Sequence, residues 1–174
     1  MKRIYKPLAV IVCIAVLSSC ASYKAQYKQE NSKAQQTDSE ILHSFYLIGD
    51  AGYSPAGSKS EALQSFEKAL KQASKNSTAI FLGDNIYPDG LPPKKDKGRA
   101  FAENNIDAQI KAVKGFKGTT IFIPGNHDWY AGGVKGVKRQ EEYIEKALEK
   151  NTFQPENGCP LESIDVSDDV QLII

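Results

Sequence analysis

Hydrophobic and polar positions divide the chain into short apolar runs that alternate with amphipathic stretches. Ile41–Ile48 is a mostly apolar run that ends at Gly-Asp, which predicts a buried strand. Ser58 and Glu61 have the S-x-x-E spacing of a capping box. Beyond them Ala62, Leu63, Phe66, Ala69, Leu70 and Ala73 recur at helical spacing and form one apolar stripe. Thr78–Leu82 predicts a second strand, and Asp89-Gly90-Leu91-Pro92-Pro93 breaks the chain into a loop. Phe101, Ile106, Ile110 and Val113 place a second helix over Arg99–Lys114, in spite of Asn104 and Asn105 inside it. Thr119–Ile123 predicts a third strand. Lys138–Lys150 predicts a third helix with Tyr143, Ile144, Ala147 and Leu148 on its apolar side. After an irregular Pro/Gly stretch, Glu162–Val166 and Val170–Ile174 form two further strand patterns joined by Ser167-Asp168-Asp169.

Strand–helix–strand–helix–strand with buried strands implies an α/β fold, a βαβαβ parallel sheet covered by helices. Right-handed crossovers then bring the C-terminal ends of all three strands to one sheet edge, where open α/β sheets bind ligands. All three runs stop on the same punctuation: Gly49-Asp50, Gly83-Asp84, and Gly125-Asn126-His127-Asp128. Each alone reads as turn chemistry. Together they place Asp50, Asp84 and the Asn126-His127-Asp128 group in one cleft. Two carboxylates brought close repel each other unless a cation lies between them. Oxygen-rich donors with some nitrogen suit Mn, Fe or Zn.

These blocks resemble the first three motif blocks of the calcineurin-like metallophosphoesterases: Gly49-Asp50-Ala51-Gly52, Gly83-Asp84-Asn85-Ile86-Tyr87 and Gly125-Asn126-His127-Asp128. In the general family the first block is Asp-x-His. Here Gly52 stands in the histidine's place, and Tyr87 follows Asp84 by three. Both departures resemble the purple-acid-phosphatase-like branch. The fold this implies is the parallel-sheet βαβαβ core of a metallophosphoesterase sandwich, incomplete at the C-terminus. The resemblance implies two metal ions, iron with a second iron, zinc or manganese. Asp50 and Tyr87 would ligate the first metal, Asp84 would bridge the pair, and Asn126 would ligate the second. His127 would contact the phosphate and assist the leaving group. Asn85 would either reach substrate or support the site, and Asp128 would orient its loop. The implied reaction is phosphoester hydrolysis by water that the metal pair activates, with no covalent enzyme intermediate. The substrate would be a phosphorylated small molecule or another phosphoester. Later blocks of the family supply further histidines, and no histidine follows His127. The chain also stops inside an apparent buried strand. It is therefore expected to be the N-terminal part of a longer protein, and inactive or nearly so by itself. A different reading is a non-catalytic lipoprotein binding module on a degenerate phosphatase scaffold. No G-x-G-x-x-G follows the first strand and no G-x-S-x-G elbow is present, which argues against a dinucleotide binder and a serine hydrolase.

Composition adds a location. The 174 residues are 41% hydrophobic and 25% charged, enough for one domain with a core, and the net charge of +1 without a long basic run excludes nucleic acid as an expected partner. Lys2, Arg3 and Lys6 precede an apolar stretch, Pro7–Leu17, that is short for a bilayer span and suits a signal peptide. Leu17-Ser18-Ser19-Cys20 resembles a bacterial lipobox. It implies a signal over 1–19, lipidation of Cys20 and anchorage in the cell envelope, with the outer membrane favoured by the absence of Asp after Cys20. Residues 20–40 are polar and aperiodic, a flexible tether to a domain over 41–174. Cys159 is then the one cysteine left, so no disulfide framework is expected. Trp129-Tyr130 reads either as a cleft wall that stacks on substrate or as an aromatic cover over the sheet edge. Lys94, Lys95, Lys97 and Arg99 read as a solvated loop, or as a basic patch that draws in phosphate. The oligomeric state is not legible.

Overall fold

The computed structural model describes residues 40–158, 161–167 and 170–174. The expected signal, Cys20, most of the expected tether, Cys159, and Asp168-Asp169 lie outside the described residues. Strand β1 (Ser44–Ile48), helix α1 (Glu61–Leu70), β2 (Ser77–Phe81), α2 (Arg99–Val113), β3 (Thr119–Phe122) and α3 (Val134–Leu148) follow in order. The hairpin strands β4 (Ser163–Ser167) and β5 (Val170–Ile173) come last. The expected α/β alternation is present: β1, β2 and β3 form a parallel sheet in the order β1-β2-β3. A bridge from Phe122 to Phe153 continues it by one short step, with Phe122 N–H donating to Thr152 and Gln154 N–H donating to Phe122.

Because the strand order runs one way, right-handed crossovers put the three helices on the same face. That face carries the core. Phe81 and Phe122 stack with centroids 4.1 Å apart and planes within 2°, and Phe66 of α1 meets Phe81 edge-on at 5.5 Å. Leu63 and Leu70 of α1, Ile106 and Ile110 of α2, and Ile144 of α3 close over them, all buried.

Several local expectations need correction. β1 starts at Ser44, not Ile41, and is not buried on both faces: Phe45 and Leu47 are exposed on its outer side. The cap of α1 is Ser60, whose Oγ accepts from Leu63 N–H, whereas Ser58 Oγ donates to Pro55. Ala73 falls beyond the end of α1. Phe101 does not join the apolar stripe of α2. It is exposed, against Tyr53 at 6.3 Å. α3 begins one turn before the expected Lys138. β5 is half-buried in alternation rather than buried, with Ile173 exposed.

Candidate metal centre

The two aspartates are brought together by the ladder continuing past the strand ends. Leu82 N–H donates to Ile48 at 2.8 Å, and Asp50 N–H donates to Gly83 at 3.1 Å. The turns after β1 and β2 are thus bonded to each other. Asp50 and Asp84 both adopt left-handed backbone, with φ of 54° and 52°. For a non-glycine residue this is a sparsely populated conformation that costs of order 1–3 kcal/mol, and it persists only where the surroundings enforce it. The enforcement is visible at Gly52, where an added Cβ would lie 2.4 Å from the Asp84 carbonyl oxygen. The chain crosses itself there, with Tyr87 N–H donating to Gly52 at 3.0 Å. No side chain fits at the position where the general motif has histidine. The third turn approaches as closely, since a Cβ on Gly125 would meet Asp84 Oδ1 at 2.2 Å.

Tyr87 Oη sits between the carboxylates, 2.6 Å from Asp50 Oδ1 and 2.8 Å from Asp84 Oδ2. One phenolic proton serves both acceptors. Asp50 first, then Asp84, hold that proton and push the phenol well above its usual range. His127 N–H donates to the other oxygen of Asp84, Oδ1, at 3.1 Å. The His127 ring lies between Tyr87, edge-on at 4.6 Å, and Tyr130 at 4.9 Å. Its Nδ1 is 2.5 Å from the Pro88 carbonyl oxygen. A carbonyl only accepts, so Nδ1 carries a proton. Asn126 is exposed and donates through Nδ2 to Tyr130 Oη at 2.9 Å, which leaves Oδ1 as a donor atom for a metal. Tyr130 is therefore part of the site's edge, and Trp129 beside it is 38% exposed.

Of the two roles expected for Asn85, reaching substrate or supporting the site, its contacts match the second. It is fully buried, and its Nδ2 donates to Ile123 at 2.7 Å and to Asp128 Oδ2 at 3.2 Å. It ties the second block to the end of β3. Asp128 is the hub of that tie. Oδ2 accepts from Gly125 N–H at 2.7 Å and Asn85 N–H at 3.1 Å, and Oδ1 accepts from Ile86 N–H at 3.1 Å. Burial raises its carboxyl pKa against the pull of those three N–H groups. The expected loop-orienting role of Asp128 matches these contacts.

Sequence reasoning passed over the polar residues of α2. Asn105 accepts from Ser54 N–H at 3.1 Å and donates to Tyr87 at 3.3 Å, and Gln109 donates to Asn85 at 2.6 Å. Asn104 holds the same first loop, accepting from Gly57 N–H and donating to Ser54. The signal was available: Asn105 and Gln109 lie one turn apart on one helix face, flanked by buried Ile106 and Ala108.

Asp50, Asp84, Tyr87 and Asn126 offer two carboxylates, a phenol and an amide oxygen. Hard oxygen donors of this kind suit Mn, Fe or Zn in part. They are not a complete set: among the described residues no three His, Cys, Asp or Glu side chains are grouped to hold a metal. His43 does not complete it, because it bonds Thr78 Oγ1 at 3.0 Å near the opposite ends of β1 and β2. What fits a cation is the pair of strained carboxylates with a shared proton between them, where a metal would replace the proton.

Comparison with curated proteins and with solved structures finds no match. The family model for calcineurin-like phosphoesterases matches residues 43–168, which is most of the chain and includes all three turns. A parallel sheet alternating with helices, carrying these turns at its C-terminal edge, is consistent with the core of such enzymes, which in general are metal-dependent phosphoester hydrolases. The chain belongs to the calcineurin-like phosphoesterase family.

Proposed function

We propose that this protein is a phosphoester hydrolase of the purple-acid-phosphatase-like branch, with a binuclear centre at the edge of its sheet. The observation that carries the reading is the Asp50–Tyr87–Asp84 cluster, three oxygens within 2.8 Å contacts, with His127 N–H on Asp84. Asp50 and Tyr87 would hold one ion, Asp84 would bridge, and Asn126 Oδ1 would hold the other. The ions, iron with a second iron, zinc or manganese, would supply Lewis acidity toward water and the phosphoryl oxygens. The chain's own part is positional. Asp128 and Asn85 fix the turns, Tyr87 would give up its proton to hold a cation, and the Nδ1–H to Pro88 contact would leave Nε2 of His127 to assist the leaving oxygen.

Iron(III) is the natural partner for Tyr87, because only a strongly acidic cation displaces a proton held by two carboxylates. Adding ferric ion to the metal-stripped chain should therefore give a visible phenolate-to-iron charge-transfer band, absent in Tyr87→Phe. If Tyr87→Phe keeps the band, or none forms, the branch assignment fails. One observation favours the second reading, a binding module without turnover: a single imidazole, His127, is placed at the site. That reading predicts a folded, metal-poor protein with no hydrolysis of an aryl phosphate by the native gene product, and metal-dependent hydrolysis by that product would exclude it.

We also propose that Cys20 carries lipid and anchors the protein in the envelope, the outer membrane being favoured. The basic start, the short apolar run and Cys20 in their order support this. Cys20→Ala should move the protein from the membrane fraction to the soluble fraction. Retention of the variant in the membrane would remove the proposal.

A further inference from the structure

A cavity of about 600 Å³ opens between α2, α3 and the loop before α2. That is the size of a small-molecule site. None of Asp50, Asp84, Tyr87, Asn126 or His127 lines it. Its walls carry four cations, Lys94, Arg99, Arg139 and Lys146, against two acids, Glu103 and Glu142. The basic run after Pro92-Pro93 thus contributes to a space between helices. Arg99 is buried as the first residue of α2, not solvated as expected.

The charges do not cancel. Arg99 Nε pairs with Glu103 at 2.7 Å, which accounts for one of the acids. Arg139 is half-buried and bonds only backbone carbonyls, from Nε to Leu91 at 3.2 Å and from Nη2 to Ala131 at 2.5 Å. Carbonyl dipoles orient a guanidinium without neutralising it. Among the described residues no carboxylate pairs with Arg139, Lys94 or Lys146. Set against the remaining Glu142, this leaves an excess of two positive charges around an open space. The arginines are already held: Arg99 Nη1 donates to Pro92 at 2.7 Å while Nε is engaged by Glu103. A fixed guanidinium loses little freedom on meeting an anion and matches phosphate geometry. Beside the cations the wall is apolar. The Tyr143 ring is anchored through its hydroxyl to Asp107 Oδ1 at 2.8 Å, lies 5.4 Å from the Arg99 guanidinium, and neighbours Ala147.

We propose that the α2–α3 cavity is a second binding site, separate from the metal centre, for a phosphate monoester with an apolar body. A monoester carries about −1.5 to −2 near neutrality, which matches the two uncompensated charges. Arg139 meets the phosphate, Lys94 and Lys146 close the field from the rim, and the apolar part lies on Tyr143 and Ala147. The proposal does not rest on the hydrolase reading. It holds equally for a chain that never turns over.

The test is a titration of phenyl phosphate into the full chain, stripped of metal with a chelator so that the catalytic edge is disarmed. Backbone amide resonances are followed. Saturable shifts are expected at Lys94, Arg99, Arg139, Lys146 and Ala147. Lys94 and Lys146 are exposed and make no ion pair among the described residues, so Lys94→Gln with Lys146→Gln leaves the fold intact. The dissociation constant should rise about tenfold in that double variant, and stay near its original value when both are replaced by arginine. Shifts confined to the turns at Asp50, Asp84 and His127, shifts that never saturate, or an unchanged constant in the double glutamine variant would each overturn the site.

Discussion

Asp128→Ala is expected to lower stability by about 3 kcal/mol, because it strips the acceptor from buried N–H groups that each cost roughly 1–3 kcal/mol when left unmade. Asp128 is fully buried. Its two oxygens accept from the backbone of Gly125, Asn85 and Ile86 and from the Asn85 amide. The vacated space admits some water, which is why the sum over four donors is not the expected loss. The Gly125 bond closes the turn after β3 on itself, while those from Asn85 and Ile86 join segments 42–43 residues apart in the chain, the turn after β2 and the turn after β3. Losing them frees the two loops that carry Asp84 and His127. Asp128→Asn should fall between wild type and alanine, since one of its two atoms would face N–H donors with its own N–H. Urea unfolding followed by tryptophan fluorescence and by far-ultraviolet circular dichroism gives the numbers. The single tryptophan, Trp129, sits next to Asp128 and reports the loop directly. A loss below about 1 kcal/mol for alanine, the worth of one ordinary hydrogen bond, would mean that the turns are held together elsewhere.

What the sequence made legible is local in origin. Strands β1 to β3 were readable because apolar runs ended on Gly-Asp or Gly-Asn, residues that tolerate left-handed backbone, and two of the aspartates do adopt it. Convergence of the three turns followed from the handedness of crossovers, which needs no knowledge of contacts. Tyr87 entered as a site residue only through the family resemblance, and in the structure its hydroxyl donates to both carboxylates. The absence of a side chain at Gly52 was legible too, but not its reason, which is a backbone crossing with the Asp84–Ile86 segment.

The errors have a common physical cause, which is that long-range partners override local pattern. Asn104 and Asn105 count against a helix by propensity, yet they sit in α2 because the Ser54–Gly57 loop supplies their partners across about 50 residues. The choice between the two roles open to Asn85 needed Ile123 and Asp128, which bond its amide. Phe101 was placed on the apolar stripe of α2 but stands exposed on that helix beside Tyr53. Arg99 read as part of a basic loop, solvated or drawing in phosphate, and could not be matched in advance to the Pro92 carbonyl. Ser60 rather than Ser58 caps α1, a two-residue slip of the kind that a serine-rich turn permits.

Asp84→Asn is expected to weaken metal binding by more than the roughly 10–100-fold that follows loss of an outer-shell partner, while leaving the metal-free protein as stable as before or more so. The two halves of this result come from the same geometry. Asp84 touches both Tyr87 and the His127 backbone, through different oxygens. Its replacement removes the charge on which a bridging role depends. Without metal, that charge stands near Asp50 with a single phenolic proton between them, and like charges at this separation destabilise the fold. Asparagine relieves the repulsion, keeps one acceptor, and is as tolerant of the left-handed backbone at this position. Titration calorimetry with Mn²⁺ on metal-stripped chains measures the first half, and urea unfolding in the presence of a chelator measures the second. Unchanged Mn²⁺ affinity in Asp84→Asn would remove Asp84 from the metal centre. Loss of affinity together with loss of stability would make Asp84 a structural acceptor whose effect on metal is indirect. Only weaker binding without weaker folding identifies a residue held in a strained, repelled position for the sake of a cation.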